Sequence, residues 1–440
     1  MSVMTHRRGA RRLALAAAGT TGLLLAVPAA ATANVRAPGA GPAAAPAVTS
    51  ARAVQAGGWR QVAPERREGR VRLALPEPTG PRRVGTTSLH LIDRSRRDPW
   101  TSPAPRELMV SLWYPARGAA GHPRAPWFPP AASELYEQQT SQGLRTPLDG
   151  VDFPVTHGHE GAPVAVRPGG HPVVLYSPGY GAERELNTAL VEDLASRGYV
   201  VVTIDHTHES GIVEFPGGRV ERGRTPPKPS PRDYARALRV RVDDARFVLD
   251  ELAALDSGRN PDAEHRGLPR GVRGSLDLSK VGMFGHSFGG ATAAQAMARD
   301  RRIRAGIDLD GSVDGPVQYT GLGRPFMLMA NATHGRGNDP SWARFWRHLR
   351  GWRLQLRLRD SGHQTYTDVA PLVRQLENAL PLPPDVVAEM TERIGTIDPG
   401  TAVAAQRAYI GSFFDLHLRR HDDRLLSGPS PRHPEIEFVP

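Results

Sequence analysis

The sequence of 440 residues contains no cysteine and almost no lysine. Without cysteine the chain cannot build a disulfide framework, a thiolate nucleophile, a cysteine-ligated zinc site or an iron–sulfur cluster. Lys228 and Lys280 are the two lysines among 56 basic residues, so arginine carries nearly all of the positive charge. Against 45 acidic residues the formal net charge is +11. The 39% of hydrophobic and 23% of charged residues are typical of an ordinary globular protein.

Motifs for nucleotide and nucleic-acid binding are also missing. The chain has no P-loop and no dinucleotide fingerprint, and Gly321-Leu322-Gly323 is too short to bind a nucleotide phosphate. The arginines are scattered, often beside acids, and no basic stripe is interleaved with aromatic residues. We therefore predict no cofactor and no nucleic-acid partner, while a weak attraction to anionic lipid surfaces stays open.

The first 33 residues are predicted to be a secretory signal rather than part of the fold. Several arginines and no acid precede an apolar run at 13–27, and Ala31-Thr32-Ala33 has the small-x-small pattern of a cleavage site. The run is too short for a membrane span, which needs about 20 apolar residues. We expect a secreted protein, exported by the Sec or the twin-arginine route, with an uncleaved anchor as the less favoured alternative. Residues 34–57 are then an Ala/Pro/Gly-rich linker.

Short apolar runs alternate with helical patterns through the rest of the chain. Residues 84–92 and 107–114 alternate in polarity and are expected to pair as antiparallel strands. Further strands are predicted at 172–177, 199–205, 281–285, 303–309, 325–330 and 352–359, and helices at 187–197, 232–255, 289–299 and 401–417. Residues 118–166 contain many prolines and are predicted to be irregular, and 206–231 and 256–275 to be long loops. This order predicts an α/β fold, a mostly parallel, doubly wound sheet with helices on both faces.

Residues 285–289 read Gly-His-Ser-Phe-Gly, the G-x-S-x-G pattern of a nucleophile elbow. An apolar strand ends at Gly285 and a helix of small residues follows, so Ser287 falls on the tight turn that this pattern requires. The flanking glycines relieve crowding in the turn, and the start of the helix favours negative charge beside the serine. Ser287 is the candidate nucleophile, and a glycine-rich turn with an ordinary serine is the alternative.

A serine hydroxyl needs a general base, and the base needs a third group that orients it. In folds that carry this elbow the chain order is serine, acid, histidine, so the base is expected on a loop after a late strand. His363 follows the predicted strand 352–359 and satisfies this position. His334 follows an earlier strand and His348 lies in a helical stretch, so both fit less well.

Two aspartates compete for the role of the acid. Asp310 follows the predicted strand 303–309, which is expected beside the strand of the nucleophile, and Asp308 lies deeper on the same face. Asp339 follows the predicted strand 325–330, where many hydrolases of this kind carry their acid. Position alone weighs Asp310 and Asp339 equally.

The developing negative oxygen of such a reaction needs an oxyanion hole of backbone N–H donors. One donor is expected from Phe288, the residue after the serine, and the second from the loop after an early strand. The segment Ser-Pro-Gly-Tyr-Gly at 177–181 follows the predicted strand 172–177 and indicates the N–H of Tyr180. A Pro-Gly turn that is present only for its bend is the alternative.

Two His-x-His pairs and several aromatic residues have less specific patterns. The pairs are His157/His159 and His206/His208. Residues two apart on a strand share a face, as metal ligands can, but apart from Glu209 and Glu160 no third ligand lies nearby at a recognised spacing, so we predict no metal site. His206 is instead expected to line the substrate cleft. Four aromatic residues of irregular segments are expected either in an acyl pocket or in the core beneath loops: Trp127, Phe128, Phe153 and Phe215.

Several segments resemble the plasma, or type II, platelet-activating factor acetylhydrolase family of the α/β-hydrolases. They are GHSFGG at 285–290, DLDG at 308–311, SGHQTYTD at 361–368, SPGYG at 177–181, and residues 194–206 and 108–115. The resemblance runs from about Val84 to the last helix. It implies an α/β-hydrolase fold with residues 58–440 as the catalytic domain.

The resemblance also bears on the site. It supports Ser287 and His363, and it favours Asp310 over Asp339 because the acid of that family follows the strand after the nucleophile helix. It likewise supports the N–H groups of Tyr180 and Phe288 as the oxyanion hole. Pro178 stands where the family tends to have histidine, a departure that concerns the acyl pocket rather than the backbone donor.

The sequence thus predicts a secreted serine hydrolase of carboxylic esters, an esterase or lipase that acts on a small-molecule or lipid ester. The resemblance implies short-acyl phospholipids among the substrates and peripheral contact with lipid surfaces. An amidase or peptidase and a polyester hydrolase remain alternatives because the same triad serves them. A non-catalytic binding protein on a hydrolase scaffold is the alternative from a different class.

Overall fold

The computed structural model describes residues 65–67 and 69–440. The predicted signal at 1–33 and the predicted linker at 34–57 lie outside the described residues. None of the helices in the described ranges is long and apolar enough to cross a membrane.

The described chain contains sixteen strands and nine α-helices. The strands are β1 (Glu65–Arg67), β2 (Arg70–Arg72), β3 (Arg83–Arg97), β4 (Pro105–Ala116), β5 (Arg124–Pro126), β6 (Val151–Asp152), β7 (Val155–Glu160), β8 (His171–Ser177), β9 (Val200–Ile204), β10 (Ile212–Phe215), β11 (Arg219–Arg222), β12 (Leu276–His286), β13 (Ile303–Leu309), β14 (Phe326–Ala330), β15 (Arg353–Leu358) and β16 (Ile436–Phe438). The helices are α1 (Pro130–Leu144), α2 (Thr188–Ser196), α3 (Pro231–Asp256), α4 (Phe288–Arg299), α5 (Val317–Thr320), α6 (Pro340–His348), α7 (Val369–Ala379), α8 (Pro384–Ile394) and α9 (Pro399–Arg419).

Eleven of these strands form one sheet in the order β16-β15-β14-β13-β12-β8-β9-β4-β3-β7-β5. The central strands β15, β14, β13, β12, β8 and β9 run parallel to one another. β4 is antiparallel to β9 and to β3, with Val84 opposite Pro115. The predicted α/β class, the mostly parallel sheet and the antiparallel pair near residues 84–92 and 107–114 are therefore confirmed.

The central strands are buried on both faces, and the alternation of their side chains divides them between two cores. On β8, Val173 and Leu175 belong to the core that contains residues of α3, α4 and α6. Val174 and Tyr176 point the other way, into the core that contains residues of α2 and α9. Because successive side chains of a strand point to opposite faces, a continuous apolar run such as that of β8 is what a sheet covered on both sides requires.

The prediction that residues 118–166 are irregular is wrong, since this segment contains α1 and the strands β5, β6 and β7. α1 begins with Pro130, and proline is well tolerated at the first helical position because its missing N–H would have no partner there. α1 packs in a third core together with residues of α7 and α8, two helices that the sequence patterns did not reveal. The loop predicted at 206–231 holds the hairpin β10–β11, and 257–275 has neither helix nor strand.

The carboxyl ends of β8, β12, β13, β14 and β15 meet at one edge of the sheet because these strands are parallel. In open α/β sheets ligands bind at this edge. The segments that leave the five strands there carry every residue predicted for the triad and the oxyanion hole.

Candidate active site

The turn between β12 and α4 holds Ser287 in an unusual backbone conformation. β12 ends at His286, α4 begins at Phe288, and Ser287 between them has φ 55° and ψ −124°. A positive φ is strained for a residue with a side chain, and such strain is concentrated at functional sites. The N–H of Ser287 donates to the carbonyl oxygen of Leu309 at 2.8 Å, which ties the turn to the end of β13.

Gly285 and Gly289 make this turn possible because neither has room for a side chain. A Cβ on Gly285 would lie 2.2 Å from the carbonyl carbon of Gly289. A Cβ on Gly289 would lie 1.9 Å from the carbonyl oxygen of Ser177 at the end of β8. Any side chain here would therefore displace the turn or its neighbour, which is the steric reason for the glycines of the motif.

The predicted base and one of the two predicted acids are in direct contact. His363, in the loop after β15, lies with Nδ1 2.6 Å from Oδ2 of Asp310, the first residue after β13. The Asp310 carboxylate also accepts the backbone N–H and the side-chain N–H of Asn331, each at 2.7 Å. Burial raises the pKa of Asp310, but hydrogen bonds from His334 and His363 outweigh burial and lower that pKa to about 2. The acid is thus ionised and fully bonded.

Asp339, the competing acid, does not reach His363. It caps the N-terminus of α6, where its side chain accepts the backbone N–H groups of Ser341 and Trp342 at 2.7 and 3.3 Å. Its other oxygen lies 3.0 Å from Nε2 of His334. His334 in turn has Nδ1 3.0 Å from Oδ1 of Asp310, so one imidazole joins the two aspartates that sequence position left equal.

His286, the residue before the serine in the G-x-S-x-G motif, contacts the loop that carries His363. Its Nε2–H donates to the carbonyl oxygen of His363 at 2.9 Å, and the two rings lie 4.6 Å apart. Burial, with the charge of His363, lowers the pKa of His286 to about 3, which keeps this ring neutral. The sequence pattern gave no signal for this contact because any residue satisfies the x of G-x-S-x-G.

Ser287 lies between Asp310 and the Pro-Gly loop, which we define as residues 177–181 at the end of β8. A Cβ on Gly311, one residue after Asp310, would lie 1.9 Å from the carbonyl oxygen of Ser287, and a Cβ on Gly179 would lie 3.5 Å from the Ser287 Cβ. Among the described residues the Ser287 hydroxyl has no hydrogen-bond partner. The hydrogen bond between a catalytic serine and its base is often long without substrate and tightens only when substrate binds.

The two predicted oxyanion donors are free to bind a ligand. Within the described chain the N–H groups of Tyr180 and Phe288 donate to no backbone or side-chain acceptor. Phe288 is the first residue of α4, and the first N–H groups of a helix have no partner inside it. The rings of the two residues pack edge to face with centroids 5.5 Å apart, so the loop and the helix start are in contact.

Arg241, on α3, fixes the Pro-Gly loop from behind. It is completely buried and donates to the carbonyl oxygens of Pro178 at 2.5 Å and Gly179 at 2.8 Å. Glu209, also buried, accepts from Arg241 at 2.5 and 2.6 Å and from the N–H of Gly181 at 3.0 Å. A peptide unit is planar and trans, so a Gly179 carbonyl that faces Arg241 turns the next N–H, that of Tyr180, the opposite way. No sequence pattern indicated Arg241, and Glu209 was considered only as a neighbour of the His206/His208 pair.

Asp308, the deeper aspartate on β13, lies beneath the serine turn. Its Oδ1 accepts the N–H of Gly311 at 2.8 Å, and a Cβ on Gly290 would lie 1.8 Å from the same oxygen. Burial raises the pKa of Asp308 well above its usual value. Burial therefore disfavours a second negative charge beside Asp310.

The expectation that His206 lines the substrate cleft is wrong. His206 is fully buried; its Nδ1–H donates to Asp244 at 3.0 Å and its Nε2 accepts the Ser177 hydroxyl at 2.9 Å. Asp244 also accepts two hydrogen bonds from Arg106, at 3.1 and 2.7 Å. This buried network supports the end of β8 from inside the fold.

The other residues of the two His-x-His pairs bind protein groups. His208 lies between Asp98 and Glu221, at 3.0 and 3.2 Å. His157 contacts Glu192 at 2.8 Å and His159 contacts a carbonyl oxygen at 2.8 Å. In the part of the chain that the structure describes, no group of three or more such side chains is arranged to hold a metal ion.

Of the two expectations for the aromatic residues, the structure favours core. Trp127 and Phe128 are each 2% exposed and pack with Tyr136 and Phe153 in the third core. Phe215 packs against His90 on the hairpin side. The aromatic rings around the Pro-Gly loop are instead those of Tyr180, Phe288 and Tyr234, with centroids 4.8–5.7 Å apart.

Comparison with known proteins finds one family and several relatives. The profile of the family "Platelet-activating factor acetylhydrolase, isoform II" matches residues 69–217 and 235–423. A protein of Arthroderma benhamiae named "Probable 1-alkyl-2-acetylglycerophosphocholine esterase" is 31% identical over 83% of this chain and 93% of its own. A platelet-activating factor acetylhydrolase of Cavia porcellus is 28% identical over 54% of this chain and 55% of its own.

A solved structure is similar over nearly its whole length. It is a ferulic acid esterase from Streptomyces cinnamoneus, which aligns with a TM-score of 0.68 and 36% sequence identity. The alignment covers 84% of this chain and 99% of that one. The similarity therefore extends over the sheet that carries the site.

Proposed function

This chain belongs to the platelet-activating factor acetylhydrolase isoform II family and is a carboxylic-ester hydrolase, and we propose that it acts through Ser287, His363 and Asp310. The observation that carries the proposal is the 2.6 Å contact between His363 Nδ1 and Asp310 at the sheet edge where Ser287 stands on its strained turn. Because Nδ1 donates to Asp310, Nε2 of His363 is left to accept the serine proton.

In the first half of the proposed reaction, Ser287 Oγ forms a bond to the acyl carbon of the ester while its proton passes to His363 Nε2. The N–H groups of Phe288 and Tyr180 bind the oxyanion that forms on the carbonyl oxygen. The bond from the acyl carbon to the leaving oxygen then breaks, and His363 donates its proton to the departing alcohol. Asp310 stays ionised, orients the imidazole and stabilises its charged form.

In the second half, water attacks the acyl-serine and gives a proton to His363. The bond between the acyl carbon and Ser287 Oγ breaks, the proton returns to the serine oxygen, and the carboxylic acid leaves. Neither half consumes an electron donor or a second substrate besides water.

For the substrate we favour lipid esters with a short acyl group. Support comes from the name of the fungal relative, which is aligned over 93% of its length and is described as an esterase of an acetylated ether phospholipid. Esters of hydroxycinnamic acids are the second candidate. They are favoured by the similarity to the solved ferulic acid esterase at 36% identity and by the three aromatic rings around the Pro-Gly loop.

A series of chromogenic esters tests this proposal. We expect the purified chain to hydrolyse p-nitrophenyl esters from acetyl to palmitoyl with a preference for short chains, and Ser287→Ala to lose about 10⁴-fold or more in kcat/KM. Methyl ferulate compares the aromatic acyl group, and the p-nitroanilide of the preferred acyl group tests the amidase alternative. Full ester hydrolysis by Ser287→Ala would refute the triad, and rising activity toward palmitoyl would indicate a lipase.

We also propose that the protein is exported through its first 33 residues. The support is the order of basic segment, apolar run and small-x-small site in the sequence. Expression of the full chain in a bacterial host should release a protein whose N-terminal residue, read by sequencing, is Asn34. Retention of an intact Met1 terminus in the membrane fraction would instead favour the uncleaved anchor.

A further inference from the structure

His334 has a carboxylate on each of its two ring nitrogens. Nδ1 lies 3.0 Å from Oδ1 of Asp310, and Nε2 lies 3.0 Å from Oδ2 of Asp339. The ring packs on the indole of Trp342 with centroids 4.3 Å apart, and 14% of the side chain is exposed. The bridge therefore joins the loop after β13 to the start of α6 through one well-packed imidazole.

The chemistry of this bridge requires a charged ring. An ionised carboxylate can only accept hydrogen bonds, and a neutral imidazole has a single N–H. Two carboxylates at hydrogen-bond distance can both be satisfied only when both ring nitrogens carry a proton. Burial lowers the pKa of His334, but the hydrogen bonds to Asp310 and Asp339 outweigh burial and raise that pKa to about 10.

Both aspartates are held as carboxylates by their other partners. Asp310 accepts two N–H groups of Asn331 and one of His363. Asp339 accepts the hydroxyl of Ser312 at 2.7 Å besides the N–H groups at the start of α6. Although burial raises the pKa of Asp339, its hydrogen bonds, that of His334 above all, bring the pKa below its usual value. The arrangement is thus an ion chain of carboxylate, imidazolium and carboxylate.

The other titratable groups near the bridge add little competing charge. Burial raises the pKa of Asp308 and lowers that of His286, so it disfavours the charged form of each. Burial also raises the pKa of Asp314, which interacts with Asp339. His363 is the remaining partner of Asp310. A charge change at His334 or Asp339 is therefore transmitted chiefly to Asp310 and His363.

We propose that His334 is a positioning residue of this active site. Its cationic ring holds the second oxygen of Asp310 and offsets part of the negative charge that His363 experiences, while Asp339 in turn holds His334. The inference rests on the proposed triad, in which His363 is the base that Asp310 orients. It assigns roles to two residues that lie outside that triad and do not touch the reacting atoms.

Two charge changes of opposite sign test the inference. The acid limb of the profile of kcat/KM against pH reports protonation of the base. Negative charge near the base moves this limb to higher pH. His334→Gln removes a positive charge and should move the limb up, on the order of 0.5–1 pH unit. Asp339→Asn removes a negative charge and should move it down by a smaller amount. Asparagine is as good an N-cap as aspartate, so the second change preserves the start of α6.

His90→Gln is the matched control. His90 also faces two carboxylates, those of Glu264 and Glu107 at 2.7 and 3.5 Å, but on β3, five strands from β13 and so about 24 Å away. It should leave the limb in place. The inference would be overturned if the acid limb did not shift in His334→Gln and Asp339→Asn, or if it shifted in the same direction in both variants.

Two further measurements separate the possible failures. Imidazole ¹⁵N NMR of the unmutated protein at pH 8 should show both His334 nitrogens protonated, and a neutral ring there overturns the inference even if a variant does not fold. Ser287→Ala is assayed beside the variants. If Ser287→Ala stays active, the proposed function fails. If activity depends on Ser287 but the acid limb of the His334 and Asp339 variants does not shift, only the proposed role of His334 is overturned.

Discussion

Asp310 shows how much of the proposed chemistry depends on the full set of bonds around a single residue. Four N–H groups converge on its carboxylate, two from Asn331 and one each from His334 and His363. A carboxylate offers about four lone-pair sites, so each oxygen has two partners and the group cannot rotate without losing one. The Asp310 side chain is therefore held by donors from two loops, the one after β14 and the one after β15.

The local sequence pattern predicted the positions of the serine and the histidine, whereas the contacts made by loop residues were harder to predict. Ser287 and His363 follow strands and fall in recognisable segments, and position beside the nucleophile strand made Asp310 one of two candidates. His334 was considered only as a poor base. Its contact with both aspartates depends on how residues 331–339 fold against Asp310 and Ser312 after β13. The ring also packs on Trp342, a tertiary contact that no sequence spacing indicates.

The raised pKa of His334 has a consequence for stability at alkaline pH. In the unfolded chain a histidine has a pKa of about 6.5, and the fold raises that of His334 to about 10. The folded state thus binds the proton more tightly, so this contribution to stability is complete below about pH 6.5 and is lost as the pH rises towards 10. The difference in melting temperature between the unmutated protein and His334→Gln should be largest near pH 6 and should shrink towards pH 10. A difference that grows with pH would contradict this sign.

At the scale of elements, Arg241 joins α3 to the Pro-Gly loop. α3 begins with a capping box in which Ser230 and Asp233 exchange hydrogen bonds, and the helix then delivers Arg241 to the back of the loop. The Arg241–Glu209 ion pair is buried and accounts for the orientation of two loop carbonyls. The helix was expected from its amphipathic pattern, but its role required the structure, because the loop lies more than 60 residues earlier in the chain.

Arg241→Met should damage both stability and activity, for different reasons. It leaves Glu209 buried without a counter-ion, which costs about 3–5 kcal/mol, and it frees the carbonyls that orient the Tyr180 N–H, which should lower kcat by about 10²- to 10³-fold. The double variant Arg241→Met/Glu209→Leu removes both charges and should recover much of the stability, measured by denaturant unfolding. Its kcat should stay low. A double variant with restored kcat would show that the loop does not need the arginine.

The prediction of secondary structure failed where proline and local packing determined the elements. The proline-rich segment 118–166 was expected to be irregular, yet α1 begins on a proline and buries Tyr136 against the third core. Conversely, the buried strands β8, β13 and β14 were predicted to within one residue of their observed bounds, because a strand covered on both faces needs an uninterrupted apolar run. Of β12, only the buried part at 281–285 was predicted, since its first five residues are more polar and partly exposed. Elements with a strong intrinsic pattern were thus predictable, and those determined by partners were not.

For the whole molecule, the parallel sheet explains why residues far apart in sequence meet. Ser177, Ser287, Asp310, Asn331 and His363 follow or end five strands whose carboxyl ends share one edge. The two faces of the sheet are filled by separate apolar cores, which hold this edge rigid. The family match at 69–217 and 235–423 includes all five of these strands.

The central claim is that Ser287, activated by His363, forms an acyl-enzyme. The most direct test is labelling with a fluorophosphonate, which reacts covalently with activated serines, followed by mass spectrometry of the digested protein. We predict a single adduct on the peptide that contains Ser287, no adduct in Ser287→Ala, and slow or absent labelling in His363→Ala. Ester hydrolysis without an adduct on Ser287, or an adduct on another serine that accompanies loss of activity, would contradict the account.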